Sequence, residues 1–141
     1  MAPTLLDRAV EIEQLDTIEE IWVRTTATLA RHGLPHAIYI TVDCDGANPL
    51  VMTNVPTVYD LIDPAEDPFL AYACDSYDLM RTGPEYLSTH EMLTTDERVF
   101  ISAASDCGFR AGLGIPMRLR GSQRYGGFNI GCGLSRRSAW A

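Results

Sequence analysis

Glycine spacing towards the C-terminal end constrains this chain more than any other feature. From Gly108 the sequence runs Gly-Phe-Arg-Ala-Gly-Leu-Gly-Ile-Pro-Met-Arg-Leu, crosses a polar turn, and returns as Tyr-Gly-Gly-Phe-Asn-Ile-Gly-Cys-Gly to Gly133. The returning half alternates Phe128, Ile130 and Cys132 against Asn129, Gly131 and Gly133, the period of a strand almost bare of side chains on one face. Glycine inside a strand costs stability, so it marks a place where a ligand, another backbone or a packed helix comes close. A hairpin with an occupied bare face is expected.

The rest of the chain supplies elements to go with it. Leu5, Leu6, Ala9, Val10 and Ile12 make the stripe of an amphipathic helix over about Leu5 to Glu13. Asp16 with Glu19 three residues on is a capping-box signature for a second helix that places Ile18, Ile21, Trp22, Thr25 and Leu29 on one face and stops at Gly33. His36 to Cys44 alternates as a strand, Asp45 to Asn48 reads as a turn, and Leu50 to Thr53 as the partner strand. Asp67-Pro68 reads as a cap followed by proline at the first helical position, opening a helix to about Met80 that buries Phe69, Leu70, Ala73 and Tyr77; Arg81-Thr-Gly-Pro stops it. Glu85 to Thr89 reads as a short strand or an irregular edge. Thr94 and Glu97 form another capping box, for a helix to Cys107 with Val99, Phe100, Ala103 and Ala104 buried and Gly108 as terminator. Helices in blocks between antiparallel hairpins give an α+β sandwich with one sheet covered on both faces.

Bulk properties exclude several functions. The 141 residues make one domain, with a net charge of −8, which repels phosphate backbones. Arg118, Arg120, Arg124, Arg136 and Arg137 read as edge charges of the hairpin and tail, so no direct nucleic-acid binding is expected. No apolar run approaches the ~20 residues of a membrane span and the N-terminus lacks a secretory pattern, so a cytoplasmic chain is expected. The four cysteines, Cys44, Cys74, Cys107 and Cys132, are scattered, and His32, His36 and His90 share no zinc spacing with them, so no metal is expected. No Cys–His nucleophile pair is indicated, and Asp96-Glu97 and Glu19-Glu20 read as helix-start acids; the chain is read as a non-enzyme.

The element order, with Gly108 to Pro116 as glycine, apolar, arginine, small, glycine, apolar, any, Ile/Val, proline, and Gly126-Gly127-Phe128 after it, resembles the autoinducer-binding domain of LuxR-type transcriptional regulators from about Asp16 to Gly133. The resemblance implies an α-β-α sandwich with a central, mainly antiparallel sheet of the PAS/GAF-like kind. It also implies an N-acyl homoserine lactone, or another amphiphilic small molecule, held between sheet and helices. No other cofactor is implied. Asp67 looks like the family aspartate that accepts the ligand amide, and Gly112 like the family glycine before the strand. Tyr59 is the candidate second donor; Tyr39, Tyr72, Phe100, Phe128 and Cys132 are candidate walls. The family's lactone-reading tryptophan has no counterpart, since Trp22 and Trp140 lie outside the matching positions.

The family continues into a helix-turn-helix domain of ~65 residues, whereas this chain stops at Ser138-Ala-Trp-Ala. The expectation is therefore a single sensor domain over 1–141 without a DNA-binding domain, either cut from a longer regulator or naturally short. Two functions follow. One is a sensor whose folding and dimerisation depend on a buried ligand. The other is a ligand-free module that pairs with a full-length LuxR-type regulator as an antagonist.

Overall fold

The computed structural model describes residues 2–55, 58–60, 63–84, 93–118 and 123–133, in two compact units, 1–35 and 36–141. The first unit is a pair of helices. Helix α1, Leu5–Glu13, opens with a capping box in which the Thr4 hydroxyl accepts from the Asp7 amide and the Asp7 carboxylate accepts from the Thr4 amide. Helix α2, Ile18–Arg31, is capped by Thr17, not Asp16; the Thr17 hydroxyl accepts from the Glu20 amide. Starting one residue later keeps the β-branched Thr17 out of the helix and puts both Glu19 and Glu20 in the first turn, where the dipole favours them. Glu11 pairs with Arg8 at 3.1 Å and lies 3.8 Å from Arg24, bridging the helices.

The second unit is an antiparallel sheet in the order β2-β1-β5-β4-β3. Its strands are β1 His36–Val42, β2 Leu50–Thr53, β3 Met80–Thr82, β4 Ala111–Arg118 and β5 Tyr125–Cys132. With α3, Pro68–Asp75, and α4, Thr95–Asp106, this is the expected α+β class. Two expectations are corrected. Helix α3 ends at Asp75, five residues early, and Tyr77 is exposed; the Ser76 side chain accepts from the Asp78 amide and redirects the chain. Met80–Thr82, expected to end a helix, is the edge strand β3, because β4 offers it a free ladder in register Met80 to Gly114. The Glu85 to Thr89 reading lies outside the described residues.

Alternation assigns the faces. Ile38, Ile40 and Val42 share one face of β1 and pack with both helices. Phe69, Leu70 and Ala73 of α3 join Ile40 and Val42; Phe100 and Ala104 of α4 join Ile38, Val55, Val58 and Phe109. Among the described residues of this unit, both helices therefore cover one face. Val99, expected in the buried stripe of α4, points out and is 53% exposed, because the buried arc centres on Phe100 and Ala104. At the opposite end of the hairpin, Gly126 and Gly127 adopt φ of +145° and +151°, and a Cβ on either would strike the Ile40 or Ile115 carbonyl; glycine is required at both.

Arg124, expected to be a solvated edge charge, is a clip. Its guanidinium donates to the Thr41 carbonyl and hydroxyl, to the Asn48 carbonyl at 2.7 Å and to Asp43 at 2.9 Å. It ties the turn after β1 to the start of β5. Arg118 lies over the Tyr77 ring, 5.1 Å from its centroid; Arg120, Arg136 and Arg137 lie outside the described residues.

Candidate functional site

The start of α3 carries the one buried carboxylate among the described residues. Pro68 fixes the first helical φ, and Asp67 before it caps the helix: Oδ1 accepts from the Phe69 amide at 2.8 Å. Oδ2 accepts from the Tyr59 hydroxyl at 2.7 Å. Asp67 is 6% exposed, so cap and inward-pointing acceptor coincide in one side chain. Burial pushes the Asp67 carboxyl above its usual range, and the Glu97 charge adds to this; the bonds from Tyr59 and the Phe69 amide oppose it without reversing it. Burial first, and the Asp67 charge second, push the Tyr59 hydroxyl up, so Tyr59 is a firm proton donor.

Asp67 is among the residues lining a cleft of about 300 Å³. Val42, Leu70 and Tyr125 give it apolar walls, and Glu66, Asp67 and Glu97 give it carboxylates. Among the described residues Asp67 accepts one hydrogen bond on each oxygen, of the about four lone-pair positions a carboxylate has. No group of acidic, histidine or cysteine side chains among the described residues is arranged to hold a metal.

The structure brings together some of the expected residues and separates others. Tyr59 and Phe100 stand with Asp67: the two rings stack with centroids 5.8 Å apart and planes 14° apart. Tyr72 packs at the edge of the α3 cluster, its hydroxyl donating to the Asp78 carbonyl. Gly112 lies beneath the Phe109 ring. Tyr39, Phe128 and Cys132 occupy the other face of the sheet, since Tyr39 alternates with Ile38 and Ile40 and pairs with Phe128 at 4.9 Å. They cannot wall the same space as Asp67. Reasoning from sequence missed Phe69 and Phe109 as occupants of the glycine face, and Glu97 and Tyr125 as cleft residues. Phe109 adjoins the glycine run in sequence, whereas Phe69 reaches Gly114 from a distant helix that no local pattern connects to it.

No family model and no curated protein sequence matches the chain. In three dimensions it is similar to the N-acylhomoserine lactone dependent LuxR family transcription factor CepR2 from Burkholderia cenocepacia, with a TM-score of 0.72 and 14% identity over 95% of this chain and 80% of that one. At that identity the likeness establishes the fold. Among the described residues no helix is long and apolar enough to cross a membrane.

Proposed function

We propose that the chain is a small-molecule sensor domain of the LuxR type, binding an amphiphilic amide such as an N-acyl homoserine lactone against Asp67. The observation that carries this reading is the buried Asp67 carboxylate, which caps α3 and belongs to a residue lining a cleft together with Val42, Leu70 and Tyr125. The similar fold of a lactone-dependent regulator supports it. The ligand's N–H donates to Asp67, Tyr59 orients the carboxylate, and Val42, Leu70 and Tyr125 cover the apolar part. Binding transmits no chemistry; it favours one assembly state, as a homodimer or with a LuxR-type regulator, in the cytoplasm. DNA contact belongs to a separate domain or partner, in keeping with the charge of −8.

One observation favours a second reading, the ligand-free partner module: the Tyr59 hydroxyl already bonds Asp67 and gives that carboxylate a donor from the chain itself. The two readings separate in a thermal-shift panel of N-butanoyl-, N-octanoyl- and N-dodecanoyl-homoserine lactone against wild type and Asp67→Asn. The sensor reading expects a saturable rise in Tm for a member of the panel, lost in Asp67→Asn. That variant keeps an oxygen on the Phe69 amide but offers the cleft a donor in place of an acceptor. No shift with any member supports the partner module.

A further inference from the structure

The helix-facing side of the sheet is paved with glycine, and two aromatic rings rest on it. A Cβ at Gly114 would stand 2.5 Å from Cε2 of Phe69; one at Gly112 would stand 2.6 Å from Cε1 of Phe109, and one at Gly131 2.9 Å from its Cζ. Both rings are 3% exposed. Phe69 packs with Ile40 and Val42, Phe109 with Ile38 and Phe100, and Tyr59 touches both clusters. The chain's own side chains thus fill the space over β1 and the hairpin that a buried ligand tail would need.

We infer that Phe69 and Phe109 close the interior to a long acyl chain, so the domain folds on its own core and its cleft selects a compact, donor-bearing molecule. The ligand class rests on the sensor reading proposed above; the closure does not. Protein interiors are close-packed, so a long tail enters only by lifting a ring off its glycine seat and exposing that ring's apolar surface. A compact molecule at Asp67 disturbs neither ring, because the cleft is lined by Val42, Leu70 and Tyr125 rather than by Phe69 or Phe109.

Gly114 gives a clean test, since the sole atoms within 3 Å of its would-be Cβ belong to the Phe69 ring. Thermal unfolding of purified protein with no added ligand is measured for wild type, Gly114→Ala, Phe69→Leu and the double variant. Gly114→Ala is expected to lower Tm in the wild-type background and to lower it much less in the Phe69→Leu background, where the shorter side chain vacates the space. Equal losses in the two backgrounds overturn the closure. Two probes complete the test. Benzene is expected to raise Tm of Phe109→Ala and leave wild type unchanged. N-dodecanoyl-homoserine lactone is expected to leave wild type unchanged; a saturable rise overturns the selection of compact ligands. If Phe109→Ala does not fold, the Gly114–Phe69 cycle decides alone. Absence of a wild-type response to N-butanoyl-homoserine lactone, the compact member of the panel above, counts against the sensor reading and leaves the ring–glycine coupling to be judged on its own.

Discussion

Asp67 concentrates the physics of the site in one residue. Its folded carboxyl titrates above the ordinary value of 3.8, because burial disfavours the charge more than its two hydrogen bonds favour it. The sign of the linkage follows. The folded state holds the proton more tightly than the unfolded chain, so this group's stabilising contribution is complete below 3.8 and is lost as pH rises through the higher folded value. Asp67→Asn has no such titration. Its stability relative to wild type should therefore improve as pH is raised from about 3 to about 7, as read from Tm at each pH; a constant difference contradicts the buried ionisation. Tyr59→Phe tests the other partner. It leaves Oδ2 without its donor, and should lower stability by about 1–3 kcal/mol in chemical denaturation, with the Asp67 carboxyl moving further up.

At the scale of elements, two caps were legible, the cap of α2 fell one residue later at Thr17, and the end of α3 was not legible. Thr94 with Glu97, and Asp67 with Pro68, could be read because a capping residue states its own geometry; the Thr94 hydroxyl accepts from the Glu97 amide at 3.2 Å as expected. The end of α3 could not be read, since Tyr77 and Met80 continue a helical apolar pattern and it is the turn at Ser76 and the open ladder of β4 that override it. Thr94→Ala should cost about 1 kcal/mol by denaturant unfolding, without altering the slope. Arg124 was equally illegible. Its clip depends on residues far away in sequence, Thr41, Asp43 and Asn48, and no local pattern announces such a bond. Arg124→Ala should cost about 1–2 kcal/mol and speed hydrogen exchange at the turn after β1, whereas a loss confined to the β5 end would contradict the clip.

For the whole molecule, the glycine hairpin that dominates the sequence proves to be a packing device. Its bare face could be foreseen from the alternation of residues 128 to 133, but whether a ligand or the chain itself would occupy that face could not. That depended on which rings the fold delivers there: Phe69 from α3, Phe109 from the turn before β4. The candidate site was half legible for the same reason. Asp67 and Tyr59 are brought together, while Tyr39, Phe128 and Cys132 fall on the other side of the sheet by simple alternation. The second unit has a core filled by its own side chains and an outer cleft that Asp67 helps to line. In the sensor reading this cleft, through Asp67, reads a small molecule. Amide ¹H–¹⁵N spectra of the purified chain titrated with N-butanoyl-homoserine lactone test it most directly. Saturable shifts of Phe69, Leu70 and Tyr125 that vanish in Asp67→Asn are expected; shifts that persist in that variant, or none at these residues, would contradict the sensor reading.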